Sequence, residues 1–246
     1  MTAIVLAAGL SKRMGGDIPK VLLEIGGRPL LSYVLESVRA AGVSRTIVVV
    51  GAQKERVMAA FERDGVEFAV QTAQLGTASA VMAGRDLLAD DEECVVLCGD
   101  APLIRPETVR RLIRERQAAG ADVAVFTARL ADPAAYGRVK RAGGDFIERI
   151  VEQRQATSGE LAINEVNSGA YSFRWGRARP ALERILKRPT NHEYYLTDIV
   201  QELRSEGGSA VAVLATDPDE MRGANTPDEL AALERLLTAR RESRAG

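Results

Sequence analysis

Apolar runs rich in Val and Ile alternate with amphipathic segments of helical period through the first half of the chain. The runs at 3–7, 46–50, 68–70, 95–98 and 123–128 read as strands. They are nearly continuous rather than alternating, which marks strands buried on both faces of a parallel sheet. Helical patterning fills the intervals at 30–41, 54–63, 77–88 and 106–119. Glycine follows three of these segments (Gly42, Gly65, Gly120) and Pro106 opens the last, the expected asymmetry of helix ends. The pattern predicts an α/β fold with a mostly parallel central sheet and helices on both faces.

Beyond residue 130 the rhythm changes to short strand candidates at 138–141, 146–151 and 166–173, separated by polar and glycine-containing turns. This stretch reads as a β-rich insertion covering the ligand edge of the sheet. Helical patterning returns at 177–186 and 197–204, followed by a strand at 210–214 and a charged helix from 227 to about 242, with the 240–246 tail expected to fray. No fixed-period repeat or low-complexity segment interrupts the pattern, and one domain is expected over 1–246.

Composition narrows the choice of partner. Hydrophobic residues make up 46% of the 246 positions and charged residues 27%, the balance of an ordinary globular chain with a substantial core. The formal net charge of −1 gives no global field to draw the chain to nucleic acid or an anionic membrane, so any phosphate ligand must be held locally. No apolar stretch approaches the ~20 residues that span a bilayer. The chain enters its first strand without a basic segment or a small-residue cleavage site, and a cytoplasmic location is expected. Cys94 and Cys98 share one face of one predicted strand, which suits buried reduced thiols; with His192 the one histidine, a zinc site is not expected.

Candidate chemistry begins where the first strand ends. Gly9, Gly15 and Gly16 let backbone N–H groups turn toward an anion, and Lys12, Arg13 and Lys20 supply countercharge. The loop matches neither the P-loop, since no Gly-Lys-Ser/Thr follows, nor the three-glycine dinucleotide fingerprint. A second signal is the run from Val95 to Leu103, a buried strand ending in Gly99-Asp100, which places one carboxylate at the carboxyl edge of the sheet. Mg²⁺ takes oxygen ligands and is commonly held by one or two protein oxygens plus substrate phosphates. An Asx-turn or helix-cap role for Asp100 is the alternative.

The pattern Leu6-Ala-Ala-Gly-Leu-Ser-Lys-Arg-Met14, with Pro19-Lys20 five residues on, resembles the signature loop of the sugar-nucleotide pyrophosphorylases, a nucleotidyltransferase family. The resemblance runs from Thr2 to about Leu237 and is nearest to the uridylyltransferase domains that make UDP-N-acetylglucosamine. In the bifunctional bacterial members such a domain continues into a left-handed β-helix with acetyltransferase activity, and this chain ends before one. The resemblance implies a Rossmann-like nucleotidyltransferase fold, UTP and a sugar 1-phosphate as substrates, and Mg²⁺ as cofactor.

Residue by residue, it assigns the phosphate contacts to Arg13 and Lys20 as catalytic groups and the nucleotide to Leu6, Ala7, Ala8 and Gly9. The stretch Gln71-Thr-Ala-Gln-Leu-Gly-Thr-Ala-Ser79 resembles the base-reading segment, giving Gln71, Gln74, Gly76 and Thr77 to the nucleotide; Ser79 stands where His is usual. A polar loop with Thr77 capping the next helix is compatible with the same residues. Tyr136-Gly-Arg138, Ile150-Val-Glu152 and Glu165-Val-Asn-Ser-Gly169 resemble the sugar-pocket segments and nominate Gly137, Glu152 and Asn167. Glu193-Tyr-Tyr-Leu-Thr-Asp198 resembles the stretch found with amino sugars, where Tyr195 and Thr197 close over the N-acetyl group; core tyrosines and a helix-capping Thr197 are the alternative. Asn225 is the implied second metal ligand beside Asp100, although Thr226-Pro227 follows where the family more often has Asn or Asp and then Arg.

The expected reaction transfers UMP from UTP to N-acetylglucosamine 1-phosphate and releases pyrophosphate. Another sugar-1-phosphate nucleotidyltransferase, such as a glucose-1-phosphate thymidylyl- or uridylyltransferase, and a non-catalytic nucleotide-sugar binding protein are the rival readings. No nucleic-acid or membrane partner is expected, and a homo-oligomer is left open.

Overall fold

A computed structural model describes residues 1–9, 18–188 and 193–245. β1 (Thr2–Ala7) is buried on both faces: Ala3, Val5 and Ala7 project to one side and Ile4 to the other. It lies between β4 (Arg45–Val50) and β6 (Glu93–Cys98) in parallel register, with β5 (Glu67–Val70) parallel to β4 at the edge. These are four of the five apolar runs; β1, β4 and β6 offer Val, Ile or Leu to both adjoining layers, and the edge strand β5 offers Phe68 to one and Ala69 to the other.

The remaining strands are β2 (Glu24–Ile25), β3 (Arg28–Pro29), β7 (Val123–Arg129), β8 (Arg138–Gly143), β9 (Phe146–Val151), β10 (Glu165–Arg174) and β11 (Ala210–Leu214). The nine-stranded sheet has the order β5-β4-β1-β6-β10-β7-β11-β9-β8, and β2 and β3 form a separate small hairpin. β10 runs antiparallel between β6 and β7, and β9 antiparallel beside β11, so the sheet is mixed. The strands expected to lie over the sheet as an insertion are thus continuous with it. β10 enters the middle because both its faces are apolar: Tyr171 and Phe173 pack on one side, Val166 and Ala170 on the other.

Helices cover both faces. α1 (Leu30–Ala40), α2 (Lys54–Phe61) and α4 (Pro106–Ala118) pack on the side of Val5, while α3 (Thr77–Ala83), α6 (Trp175–Ile185) and α7 (Ile199–Ser205) pack on the side of Ile4. α5 (Ser158–Leu161) is one turn closed by a Thr157–Glu160 capping box. α8 (Pro227–Ala245) buries Leu233 in a third cluster with Ile25, Leu30, Tyr33 and Leu103.

Three boundaries differ from the sequence pattern. The helix expected over 77–88 stops at Ala83, and a 3-10 turn follows over Arg85–Leu87. The segment expected as one helix over 197–204 is a 3-10 turn, Leu196–Asp198, leading into α7. α8 continues past the expected fraying point, and Arg240 anchors it by donating to the Leu103 carbonyl at 2.6 Å and to Asp217 at 2.7 Å. No described helix is long and apolar enough to cross a membrane.

Candidate functional site

The carboxyl ends of β1 and β6 open onto a cleft lined by Leu6, Ala8, Gly9, Lys20, Gln71 and Gln74, with Gly76, Thr77, Cys98, Asp100 and Glu193 completing its wall. This is where ligands collect in open α/β sheets, because strand ends and the loops that leave them diverge there. Ala7 lies at the end of β1, buried in the core just beneath the cleft. Arg13, together with Lys12, Gly15, Gly16 and His192, lies outside the described residues. Among the described residues, Lys20 N–H donates to the Gly9 carbonyl at 3.1 Å.

Lys20 is the meeting point of the charged side chains. Its ammonium forms an ion pair with Asp100 Oδ2 and donates to Asn225 Oδ1 at 2.8 Å. Each comes from a different part of the chain: Lys20 opens a 3-10 turn, Asp100 follows β6, and Asn225 precedes α8. Asp100 is therefore engaged by its side chain across the cleft instead of capping its own turn. Gly223 allows the pre-α8 segment to come close, since a Cβ there would sit 2.9 Å from Asp100 Oδ2.

Thr226-Pro227 does not disturb Asn225; it anchors it. Thr226 caps α8, accepting from Glu229 N–H at 3.2 Å, while the Glu229 carboxylate accepts from Thr226 N–H at 3.2 Å and from Asn225 N–H at 2.5 Å. This reciprocal box, with Pro227 at the first helical position, fixes the backbone on which Asn225 sits.

The Gln71–Thr77 stretch forms the opposite wall. Gln71 Nε2 donates to the Gly76 carbonyl at 3.0 Å, and Gln74 Nε2 donates to the Ala8 carbonyl at 2.7 Å, tying this loop to the end of β1. Both amides thus use a donor internally and keep their oxygens as acceptors. Thr77 does not cap α3; Gly76 occupies that position, and Thr77 Oγ1 accepts from Leu196 N–H at 2.9 Å. Gly76 has φ +107° and a Cβ there would meet the Tyr194 carbonyl oxygen at 2.5 Å, so the 193–197 segment docks directly on this loop.

The residues nominated for the sugar form an adjoining group. Asn167 N–H donates to the Gly137 carbonyl at 2.9 Å, and Thr197 Oγ1 donates to Glu152 Oε1 at 2.7 Å. A Cβ on Gly137 would lie 3.6 Å from Glu152 Oε1, which places the two pairs side by side. Thr197 is buried and is not a helix cap. Tyr195 faces Glu193, whose hydrogen bond is the main reason its phenol is pushed up to about 12. Arg138, from the same Tyr-Gly-Arg segment, is buried and satisfies carbonyls of the preceding turn, including Ala134 at 3.1 Å. Asp198 is raised to about 6, chiefly by burial and then by the neighbouring Glu152 charge.

Four residues lining the cleft escape sequence reasoning: the apolar Val21 and Ala80, and Cys98 and Glu193. Cys98, expected as a core thiol, borders the cleft and joins the two groups: its Sγ donates to the Gly169 carbonyl at 3.7 Å, and Gly169 N–H donates to Asn167 Oδ1 at 3.0 Å. Burial pushes this thiol up to about 12, with Asp100 adding to the effect, which favours its protonated form. Glu193 reaches the cleft because Tyr194 packs on Gly76, a contact between segments more than a hundred positions apart that no local motif announces.

Asp100 and Asn225 suit a hard divalent ion. They offer one carboxylate and one amide oxygen converging on a single cationic atom, a sparse all-oxygen set that leaves room for water and substrate phosphate. Among the described residues no cluster of three or more His, Cys, Asp or Glu provides a self-sufficient metal cage.

Comparison with known proteins places this geometry in context. Residues 3–162 match the model of the MobA-like NTP transferase domain. The chain is similar to the bifunctional protein GlmU of Trichlorobacter lovleyi, 41% identical over 240 residues, covering 97% of this chain and 52% of that protein. The GlmU protein of Cupriavidus taiwanensis is 41% identical over 237 residues, 96% of this chain and 52% of its own length. That of Oceanobacillus iheyensis is 37% identical over 239 residues, 97% and 52% respectively. The chain thus spans about half the length of the curated relatives it matches.

Proposed function

Because the chain belongs to the MobA-like NTP transferase domain family, we propose that it transfers UMP from UTP to N-acetylglucosamine 1-phosphate. A phosphate oxygen of the sugar phosphate bonds to the α-phosphorus of UTP, and the bond to the bridging oxygen breaks, its electrons leaving on pyrophosphate. The observation that carries this reading is the convergence of Lys20, Asp100 and Asn225 at the strand ends, opposite the Gln71–Thr77 wall.

No protein nucleophile is required, because the attacking phosphate is already an anion at neutral pH. The barrier lies in bringing anions together and stabilising charge on the phosphoryl group as it transfers. Lys20 is positioned to neutralise that charge, and the Ala8–Gly9 backbone and Arg13 are assigned to the β- and γ-phosphates. Asp100 and Asn225 would hold Mg²⁺, which when bound supplies Lewis-acid screening of the phosphoryl oxygens. The free oxygens of Gln71 and Gln74 suit the uracil N3–H as acceptors, with backbone N–H groups of the same loops left for its carbonyls.

Residues 131–207 are assigned to the sugar and 1–130 with 208–240 to the nucleotide, together one Rossmann-like nucleotidyltransferase domain. Glu152, aligned by the Thr197 hydroxyl, is suited to accept from sugar hydroxyls, while Asn167, Gly137 and Tyr195 border the same space. Steady-state kinetics on Glu152→Gln and Thr197→Val test this assignment. The KM for the sugar phosphate should rise about tenfold or more while the KM for UTP changes little. Equal effects on both would remove these residues from the sugar site.

A further inference from the structure

The Lys20 ammonium that pairs with Asp100 also holds Asn225, so Lys20 occupies the point on which the two proposed metal ligands converge. An ammonium is three donors with no acceptor, and it takes up the same oxygen lone pairs that a divalent cation needs. A metal and the Lys20 ammonium at that point would be two like charges competing for one carboxylate, and only one can be held there.

We infer that Lys20 is a placeholder cation: it keeps Asp100 and Asn225 together in the substrate-free protein and must leave them when metal enters, so that metal binding releases Lys20 toward the phosphates. The inference rests on the reading of Asp100 and Asn225 as metal ligands and adds an exchange that this reading does not contain. The two ligands are the fixed partners. Asp100 follows directly on β6 and is closely approached by Gly223, and the backbone of Asn225 is held by Glu229. Lys20 is the mobile one: its backbone is tied to Gly9, but its charge rides on a flexible four-carbon stem. The side chains of Lys20 and Asp100 are 15% and 21% exposed, so the pair is sheltered from solvent screening and its loss is felt.

Two readings on the full chain test the exchange, neither depending on turnover. Binding of Mn²⁺ alone, followed by electron paramagnetic resonance, should tighten about tenfold in Lys20→Met, equivalent to about 1.4 kcal/mol, and be lost in Asp100→Asn. Lys20→Arg, which keeps a cation, should not tighten it. Independently, the rate at which an amine-reactive reagent labels Lys20 in the wild-type protein, quantified by peptide mass spectrometry, should rise severalfold on adding Mn²⁺. Asp100-dependent Mn²⁺ binding with unchanged affinity in Lys20→Met, or with a Lys20 labelling rate that does not rise, overturns the exchange and leaves the metal assignment standing. Mn²⁺ binding that is the same in Asp100→Asn as in wild type overturns the metal assignment itself. Should Lys20→Met fail to fold, the labelling measurement on wild type still decides the point.

Discussion

Asp100 is the residue to which the proposed chemistry is most sensitive, because it is the one carboxylate that the proposal gives to the metal, and it is ion-paired with Lys20. Asp100→Ala should lower kcat/KM by about 10³ or more, a loss in keeping with removal of a group that organises transition-state charge, while circular dichroism shows an intact fold. Near-normal activity at saturating magnesium would remove Asp100 from the metal site. Asp198 offers a test of a different kind. Its carboxyl is raised from 3.8 to about 6 by burial first and Glu152 second, so between those values the folded protein holds a proton that the unfolded chain has released. The stability this group contributes is complete below its unfolded value and is lost as pH rises through about 6. Asp198→Asn stays neutral throughout and should therefore gain on the order of 1–3 kcal/mol over wild type at pH 7.5 and little at pH 4. Urea unfolding at the two pH values checks this, and an equal difference at both would contradict it. Asp100 and Lys20 were legible in the sequence because each sits in a local pattern at a strand end. Cys98 and Glu193 were not, since their place in the cleft depends on β10 and on the docked 193–197 segment.

Short elements hold these residues at fixed angles, and their ends do much of the positioning. The Thr226–Glu229 box sets the start of α8 and with it the direction of Asn225. Glu229→Ala should cost about 1 kcal/mol of stability, the usual worth of a lost cap. It should also raise the magnesium concentration needed for half-maximal activity. An unchanged magnesium dependence would separate the cap from the site. Gly76 is the hinge between the two walls. Gly76→Ala places a methyl against the Tyr194 backbone and forces alanine into a positive-φ conformation, so the KM values for both substrates should rise together. An effect on only one would contradict the docking of the 193–197 segment on the nucleotide loop. The core strands and the helices between them were readable because burial on both faces writes itself as continuous apolar runs. The place of β10 was not, because its partners β6 and β7 lie far away in sequence and its antiparallel sense leaves no local mark. The break at Gly84 and the 3-10 turn before α7 likewise answer to packing rather than to periodicity.

At the scale of the molecule, two apolar layers clamp the sheet and leave its carboxyl edge as the place where loops from distant parts of the chain meet. The residues proposed for the nucleotide and those proposed for the sugar are tied to one continuous sheet and linked through Cys98 and Gly169. That continuity fits a reaction in which two anionic substrates must be held in register. With a formal net charge of −1, the surface at large gives no net attraction for anionic substrates, and the proposal assigns that attraction to this site. The most direct measurement is pyrophosphate release from each of the four nucleoside triphosphates against a panel of hexose and hexosamine 1-phosphates, with and without Mg²⁺. The account predicts the highest kcat/KM for UTP with N-acetylglucosamine 1-phosphate and loss of activity on chelation of the metal. Pyrophosphate release with no pair in the panel, or a clear preference for a different nucleotide and a sugar lacking the N-acetyl group, would contradict it.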